Sequence, residues 1–229
     1  MADSQKVGAV IVAAGESRRM GGVDKVFALL AGRPVLAWVI GAFQECGLVS
    51  EIIVVLSKFN LEKGQKMVAE QGWFKVKDVC AGGEKRQDSV VSGLSRLSDC
   101  DWIIIHDGAR PLATLDLIDR GLEAASKTGA AVAAVPVTDT IKMTGDSCIV
   151  LETLPRKNLW AVQTPQVFRA DIINEAYRRA KGDVTDDASV VEQMGHKVRL
   201  YMGSYDNLKI TTPGDLVLAE ILFQKRGNK

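Results

Sequence analysis

The chain has 229 residues, 47% of them hydrophobic and 25% charged, with a formal net charge of +1. That size suits one compact α/β domain burying roughly 70% of its unfolded surface without a disulfide or metal. The near-balanced charge, with no basic run, excludes a nucleic-acid-binding surface. Cys46, Cys80, Cys100 and Cys148 are scattered with no C-x-x-C pair, and MADSQK leads straight into a strand with no leader pattern. No apolar run approaches the ~18 residues of a membrane span. The expectation is a cytoplasmic protein with reduced cysteines and no membrane partner.

The first element is the run Val7 to Lys25, VGAVIVAAGESRRMGGVDK, an apolar strand entering a glycine-rich segment with Arg18, Arg19 and Lys25. Glycines 15, 21 and 22 allow close backbone approach to a ligand, and the cations can meet phosphate oxygens. A solvated surface turn is the plain alternative. The position after a first strand favours a phosphate loop, because open α/β sheets bind ligands outside the carboxyl ends of their strands. The spacing fits neither a Walker loop, which needs Gly-Lys-Ser/Thr, nor the dinucleotide fingerprint G-x-G-x-x-G.

Short, β-branched apolar runs follow at Ile52 to Leu56, Val76 to Val79, Ile103 to Ile105 and Ala131 to Val135. With Ala9 to Ala13 they predict strands buried on both faces. Between them, Pro34 to Glu45, Leu61 to Glu70, Arg86 to Leu97 and Thr114 to Lys127 place apolar residues at helical spacing, and Thr114 is a natural N-cap. Right-handed crossovers stack such units into a mostly parallel sheet with helices on both faces. The alternation breaks after Pro136. Residues 137–159 predict a β-hairpin turning at Gly145, too poor in apolar surface to have its own core and therefore dependent on the domain or on another subunit. Helical pattern resumes at Ala170 to Ala180, Asp186 to Met194 and Gly214 to Phe223.

Three further stretches offer chemistry. Ala81 to Ser89, AGGEKRQDS, lies between a strand and a helix, where backbone N–H groups favour an anion or a polar base edge, although an ordinary capped turn reads the same way. In IHDGARP, Asp107 at a strand's carboxyl end suits Mg²⁺, which takes one or two carboxylates plus substrate phosphates; a turn cap is the alternative. His106 follows a buried run and reads as a structural, hydrogen-bonded imidazole rather than a base. Lys209, in the loop DNLKITTPGD, is a candidate phosphate contact that alone would be an ordinary solvated lysine.

Taken in order, AAGESRRM, GGEKRQDSV, HDGARP, VTDTIK, LWAVQTPQVF, TDDAS and DNLKITTPGDL resemble the bacterial 2-C-methyl-D-erythritol 4-phosphate cytidylyltransferases over nearly the whole chain. The resemblance implies a Rossmann-like three-layer nucleotidyltransferase domain spanning residues 1–229. Its protruding β-arm, residues 137–159, would embrace a second subunit in a homodimer with shared active sites. By the same resemblance Ala13, Ala14 and Gly15 lie along CTP, and Arg19, Lys25 and Lys209 serve the triphosphate and the transition state. Gly83, Glu84 and Ser89 read cytosine with Arg86 in support, and Asp107 binds Mg²⁺. Arg156, Thr140 and Thr185, with Arg110 nearby, receive the phosphorylated polyol. Val12, Asp24, Gly108 and Glu84 depart from residues common in that family. Asp24, standing where proline is usual, is expected to free the segment that aims Lys25 and to put an anion beside it. Two other readings fit the residues: a pentitol-phosphate cytidylyltransferase, such as one acting on ribitol 5-phosphate, and a non-catalytic nucleotide-binding regulatory module on the same fold.

Overall fold

The computed structural model describes residues 5–15, 24–180 and 182–227. The apolar runs form strands as predicted: β1 (Val7–Ala13), then, after the two-residue pair β2 (Leu29–Leu30) and β3 (Arg33–Pro34), β4 (Val49–Leu56), β5 (Val76–Ala81), β6 (Trp102–Asp107) and β7 (Ala130–Pro136). The amphipathic stretches form α1 (Val35–Glu45), α2 (Leu61–Gln71), α3 (Arg86–Leu94) and α4 (Leu115–Ser126). Thr114 caps α4, its hydroxyl accepting from the Leu117 N–H at 3.2 Å.

Beyond β7 come the short strands β8 (Lys142–Thr144) and β9 (Val150–Thr153), then β10 (Trp160–Arg169), α5 (Ala170–Arg179), α6 (Asp187–Gln193), β11 (Arg199–Met202) and α7 (Pro213–Gly227). The main sheet has the order β11-β7-β10-β6-β1-β4-β5. Every pairing in it is parallel except those of β10, which runs antiparallel between β6 and β7. Side chains of β1 alternate between two cores. Ala9, Ile11 and Ala13 pack with α1 and α4, while Val10 packs with α3, α5 and α6, giving three layers.

Neither β10 nor β11 was expected from the pattern. β10 carries Pro165, and its ladder to β7 is broken between Val162 and Gln166, where the proline sits without an N–H to give. β8 and β9 do form the predicted hairpin, with every residue of both strands exposed. Its reversal occupies 145–149, with Cys148 at φ 58° and its N–H on the Gly145 carbonyl.

The strand order positions the site. From β1 the chain moves outward to β4 and β5, then crosses back through α3 to β6 on the other side of β1. The carboxyl ends of β1 and β6 therefore border the crevice where such sheets bind ligands.

Candidate functional site

A cleft of about 450 Å³ opens at this switch point, walled by the β1 turn, the β5–α3 loop, the end of β6 and the Lys209 loop. Its lining includes Ala13, Ala14, Gly15, Lys25, Gly83, Glu84, Arg86, Ser89, Asp107 and Lys209, all of them candidates from the sequence. Arg19, with Gly21 and Gly22, lies outside the described residues.

Two glycines let the backbones come this close. A Cβ on Gly82 would lie 2.4 Å from Ser89 Oγ and 2.6 Å from Ala14 Cβ, so only glycine lets the β5–α3 loop rest on the β1 turn. A Cβ on Gly108 would stand 2.7 Å from Ala13 Cβ, and the Gly108 N–H donates to the Val12 carbonyl at 2.8 Å. Gly108, a departure noted in the sequence, thus seals the end of β6 onto β1.

Asp107 is the centre of the electrostatics. Its carboxylate meets Lys209 Nζ at 2.8 Å, Arg86 Nε at 3.5 Å and Arg110 Nε at 3.7 Å. Burial by itself would raise its pKa, but Lys209 and Arg86 beside it, with Arg110, hold it well below the usual carboxylate range. Lys209, Arg86 and Arg110 outnumber the carboxylates of Asp107 and Asp187 that they meet, and Lys25 lines the same cleft. That excess suits a polyphosphate.

Arg86 is held from behind. Its guanidinium makes a bidentate pair with the fully buried Asp187, at 2.9 and 2.7 Å, and Tyr177 donates its hydroxyl to the same carboxylate at 2.5 Å. Burial opposes the charge of Arg86, and Asp187 outweighs it, raising the guanidinium's pKa. The Tyr177 hydroxyl is also raised, by burial and by the neighbouring Asp187 charge. Arg110 is enclosed too: its NH1 donates to the Asn207 carbonyl at 2.6 Å, and burial lowers its pKa despite the nearby Asp107.

His106 is structural in its geometry. It is fully buried, with Nδ1 3.1 Å from Thr164 Oγ1 and Nε2 3.2 Å from the Arg110 carbonyl. The Asp107 N–H donates to that same Thr164 oxygen at 3.0 Å, so the hydroxyl proton points to Nδ1 and the ring carries its own proton on Nε2. Burial pushes the imidazole down to about 4, which keeps it neutral.

Behind Asp107 lies a second cavity of about 340 Å³. Arg86, Asp107 and Lys209 line both spaces; Arg110, Gln163, Thr164, Gln166 and Thr185 line the second alone. Thr140 and Arg156 are not part of either lining. They sit at the exposed base of the β8–β9 hairpin, with Arg156 NH1 donating to the Thr138 carbonyl.

The expectation that Asp24 frees the Lys25 segment is corrected by the geometry. Its Oδ1 accepts the Val26 N–H at 3.2 Å, its Oδ2 accepts from Asn60 Nδ2, and its carbonyl accepts from Phe27 and Ala28 at 3.1 and 2.9 Å. Hydrogen bonds fix this turn. The sequence also missed Ser57, Lys58 and Phe59 in the cleft wall, and Asp187 and Tyr177 behind Arg86. A signal for Asp187 was present, since it stands in TDDAS at a helix start, but nothing local pairs it with a residue 101 positions away.

Known proteins resemble this chain over nearly its whole length. The family model for 2-C-methyl-D-erythritol 4-phosphate cytidylyltransferase matches residues 7–225. A relative of that name from Dehalococcoides mccartyi strain CBDB1 is 56% identical over 97% of this chain and 98% of its own. Another, from Caldanaerobacter subterraneus, is 47% identical over 96% of this chain and 99% of its own. The crystal structure of 4-diphosphocytidyl-2C-methyl-D-erythritol synthase from Anaerococcus prevotii superposes with a TM-score of 0.86 at 30% identity, covering 97% of each chain. That of the Thermus thermophilus cytidylyltransferase gives 0.75 at 34% identity, covering 94% of this chain and 98% of the other. The chain belongs to the 2-C-methyl-D-erythritol 4-phosphate cytidylyltransferase family.

Proposed function

We propose that the cleft and the cavity behind it form the active site of an enzyme that transfers the cytidylyl group of CTP to 2-C-methyl-D-erythritol 4-phosphate, releasing pyrophosphate. The products are 4-diphosphocytidyl-2-C-methyl-D-erythritol and pyrophosphate, and the family supports the reaction. The observation that carries the site reading is the shared wall: Arg86, Asp107 and Lys209 border both spaces, so a nucleotide in one and a phosphoalcohol in the other would meet across them.

The chemistry follows from charge. A phosphomonoester oxygen is already a nucleophile, so the barrier lies in bringing two polyanions together rather than in removing a proton. A neutral, fully buried His106 with both ring nitrogens engaged fits a reaction that needs no base from it. In this reading Lys25, Arg19 and Lys209 stabilise charge on the α-phosphate and the departing pyrophosphate. The cytosine lies against Gly83, Glu84 and Ser89, near the N-terminus of α3, with Ala13, Ala14 and Gly15 along the ribose and phosphates. Arg86 holds that loop through its pair with Asp187.

Mg²⁺ suits the donor set. Asp107 offers one ionised carboxylate at the wall, and among the described residues no group of three or more ligating side chains gathers elsewhere. Asp107 would hold the ion, which would supply neutralisation of part of the phosphates' charge.

For the phosphoalcohol, Arg110 and Thr185 line the second cavity, and the proposal assigns Arg156 and Thr140 to it from the β-arm of a second copy. Supporting that homodimer, Met143, Ile149, Val150 and Leu151 of the arm are all exposed, between 45% and 67%. The whole described chain would act as one domain with the arm as its dimerisation element. Among the described residues no helix is long and apolar enough to cross a membrane. The proposed setting is the cytoplasm.

Pyrophosphate release measured across four nucleotides with 2-C-methyl-D-erythritol 4-phosphate and with ribitol 5-phosphate tests the reading. Turnover confined to CTP and the methylerythritol phosphate is the expected result. Preference for ribitol 5-phosphate would move the enzyme to the pentitol class, and CTP binding without turnover on either alcohol would leave a regulatory module.

A further inference from the structure

The turn that carries Lys25 is attached to the fold chiefly by residues outside the cleft lining, Asp24 and Asn60 among them. Asp24 begins it. Three backbone N–H groups converge on this one residue: Val26 on its side chain, Phe27 and Ala28 on its carbonyl. The other carboxylate oxygen accepts from the side-chain amide of Asn60.

Asn60 is the residue that makes this contact informative. It occupies the N-cap of α2, where asparagine ordinarily accepts from the helix's own first-turn N–H groups, yet its side chain makes no capping bond. The amide is turned outward to Asp24 instead. A second link runs alongside the first, with Lys63 Nζ of α2 4.1 Å from the centre of the Phe27 ring. The far end of the turn is tied to the start of α1, where the Val26 and Ala28 carbonyls accept from Leu36 and Val35 at 2.8 and 2.9 Å. Between these ties Lys25 reaches across the cleft mouth, its Nζ 3.9 Å from where a Cβ on Gly15 would stand.

We infer that Asp24 and Asn60 form a clamp that aims Lys25 at the nucleotide phosphates, making both of them positioning residues for the transfer. The inference rests on the proposed role of Lys25. The clamp fixes one turn of backbone, and an ammonium displaced by about 1 Å loses much of its value to a transition state whose charge must be met at a set point.

The test combines kinetics with amide exchange. Asp24→Ala and Asn60→Ala are each expected to lower kcat about tenfold with CTP and methylerythritol phosphate, the double variant being no less active than Asp24→Ala alone, because that change already removes the Asn60 contact together with the acceptor for the Val26 N–H. Asp24→Asn keeps one acceptor oxygen for the Val26 N–H and puts an NH2 where Oδ2 stood; a half-turn of the Asn60 amide then offers its oxygen to that NH2, so kcat should return to within about threefold of the parent. In a Lys25→Ala background, Asp24→Ala should change kcat by less than about twofold, since a positioning residue has nothing left to position. The amides of Val26, Phe27 and Ala28 should exchange faster in Asp24→Ala and Asn60→Ala than in the parent.

Unchanged kcat in both single variants overturns the clamp, as does a tenfold loss that persists without Lys25. If Lys25→Ala itself keeps near-normal kcat at saturating CTP, the reading of Lys25 fails instead. The clamp is then decided by the exchange of the three amides, and unaltered exchange in Asn60→Ala overturns it.

Discussion

The cleft and the β-arm solve opposite problems with the same chain. In and behind the cleft, Asp107, Asp187 and Thr164 are buried and Arg86 is half-buried, and each is tied to a partner from a distant part of the sequence. In the arm, β8 and β9 pair only with each other, and all their side chains face outward. The cleft walls are built by one folded chain, whereas the exposed apolar residues of the arm suit the proposed contact with a second copy. A change in the first should cost folding or chemistry within a single chain; a change in the second should cost assembly or the site of the proposed partner.

The largest break in that comparison is expected behind Arg86. Asp187→Ala removes the buried member of the pair and leaves the half-buried Arg86 guanidinium with only Asp107, at 3.5 Å, as counter-charge, which should cost about 3 kcal/mol in urea unfolding. Lys25→Ala should leave unfolding nearly unchanged but lower kcat by a factor corresponding to about 3 kcal/mol, read by pyrophosphate release at saturating CTP. Near-normal turnover would remove Lys25 from the mechanism.

The buried imidazole gives a pH dependence of similar size. His106 titrates at about 4 in the fold and at about 6.5 when unfolded, so the unfolded chain binds the extra proton first as pH falls. Its contribution, up to about 3 kcal/mol, is complete above the unfolded value and is lost as pH drops from about 6.5 towards 4. Unfolding midpoints followed from pH 7.5 to 4.5 should fall across that window, and ring resonances of His106 should stay in their neutral positions in the native protein. Thr164→Val, which strips the shared hydroxyl from both the imidazole and the Asp107 N–H, should cost about 1–3 kcal/mol at neutral pH.

The smallest effect on the isolated chain belongs to the arm. Leu151→Glu should change unfolding by no more than about 0.5 kcal/mol, while sedimentation should show the proposed dimer lost. Mixing Arg156→Ala with Lys25→Ala subunits should restore activity in the mixed dimer if the arm completes its partner's site. Absence of complementation would count against sharing.

Where the sequence was readable, local chemistry decided the structure. Short apolar runs bounded by turn residues favour strands, and β1, β4, β6 and β7 are buried on both faces as that pattern predicts, while β5, at the sheet's edge, is partly exposed; the intervening helices follow from their spacing. β10 was hidden by Pro165, which argues against a central strand until one sees the ladder interrupted around it. β11 is a four-residue strand at the sheet's edge, with Tyr201 its only buried residue, and such a segment carries little periodic signal. In the site, residues adjacent to glycine loops and strand ends were legible. Asp187, Tyr177 and Asn60 were not, because their roles arise from pairings that only the folded chain creates.

The wall common to the two spaces has a thermodynamic consequence. Because Arg86, Asp107 and Lys209 border both, the occupant of either space alters the potential felt in the other, and linkage makes that influence equal in both directions. An anion alone in the cavity behind Asp107 would draw on Lys209 and Arg86 and weaken CTP by the same factor that CTP weakens it. A divalent cation that offsets the triphosphate's charge would shrink or reverse that factor. Affinities for the two substrates, taken singly and together by titration calorimetry, would therefore form a closed cycle whose imbalance from pure additivity measures how strongly three side chains join two binding events into one.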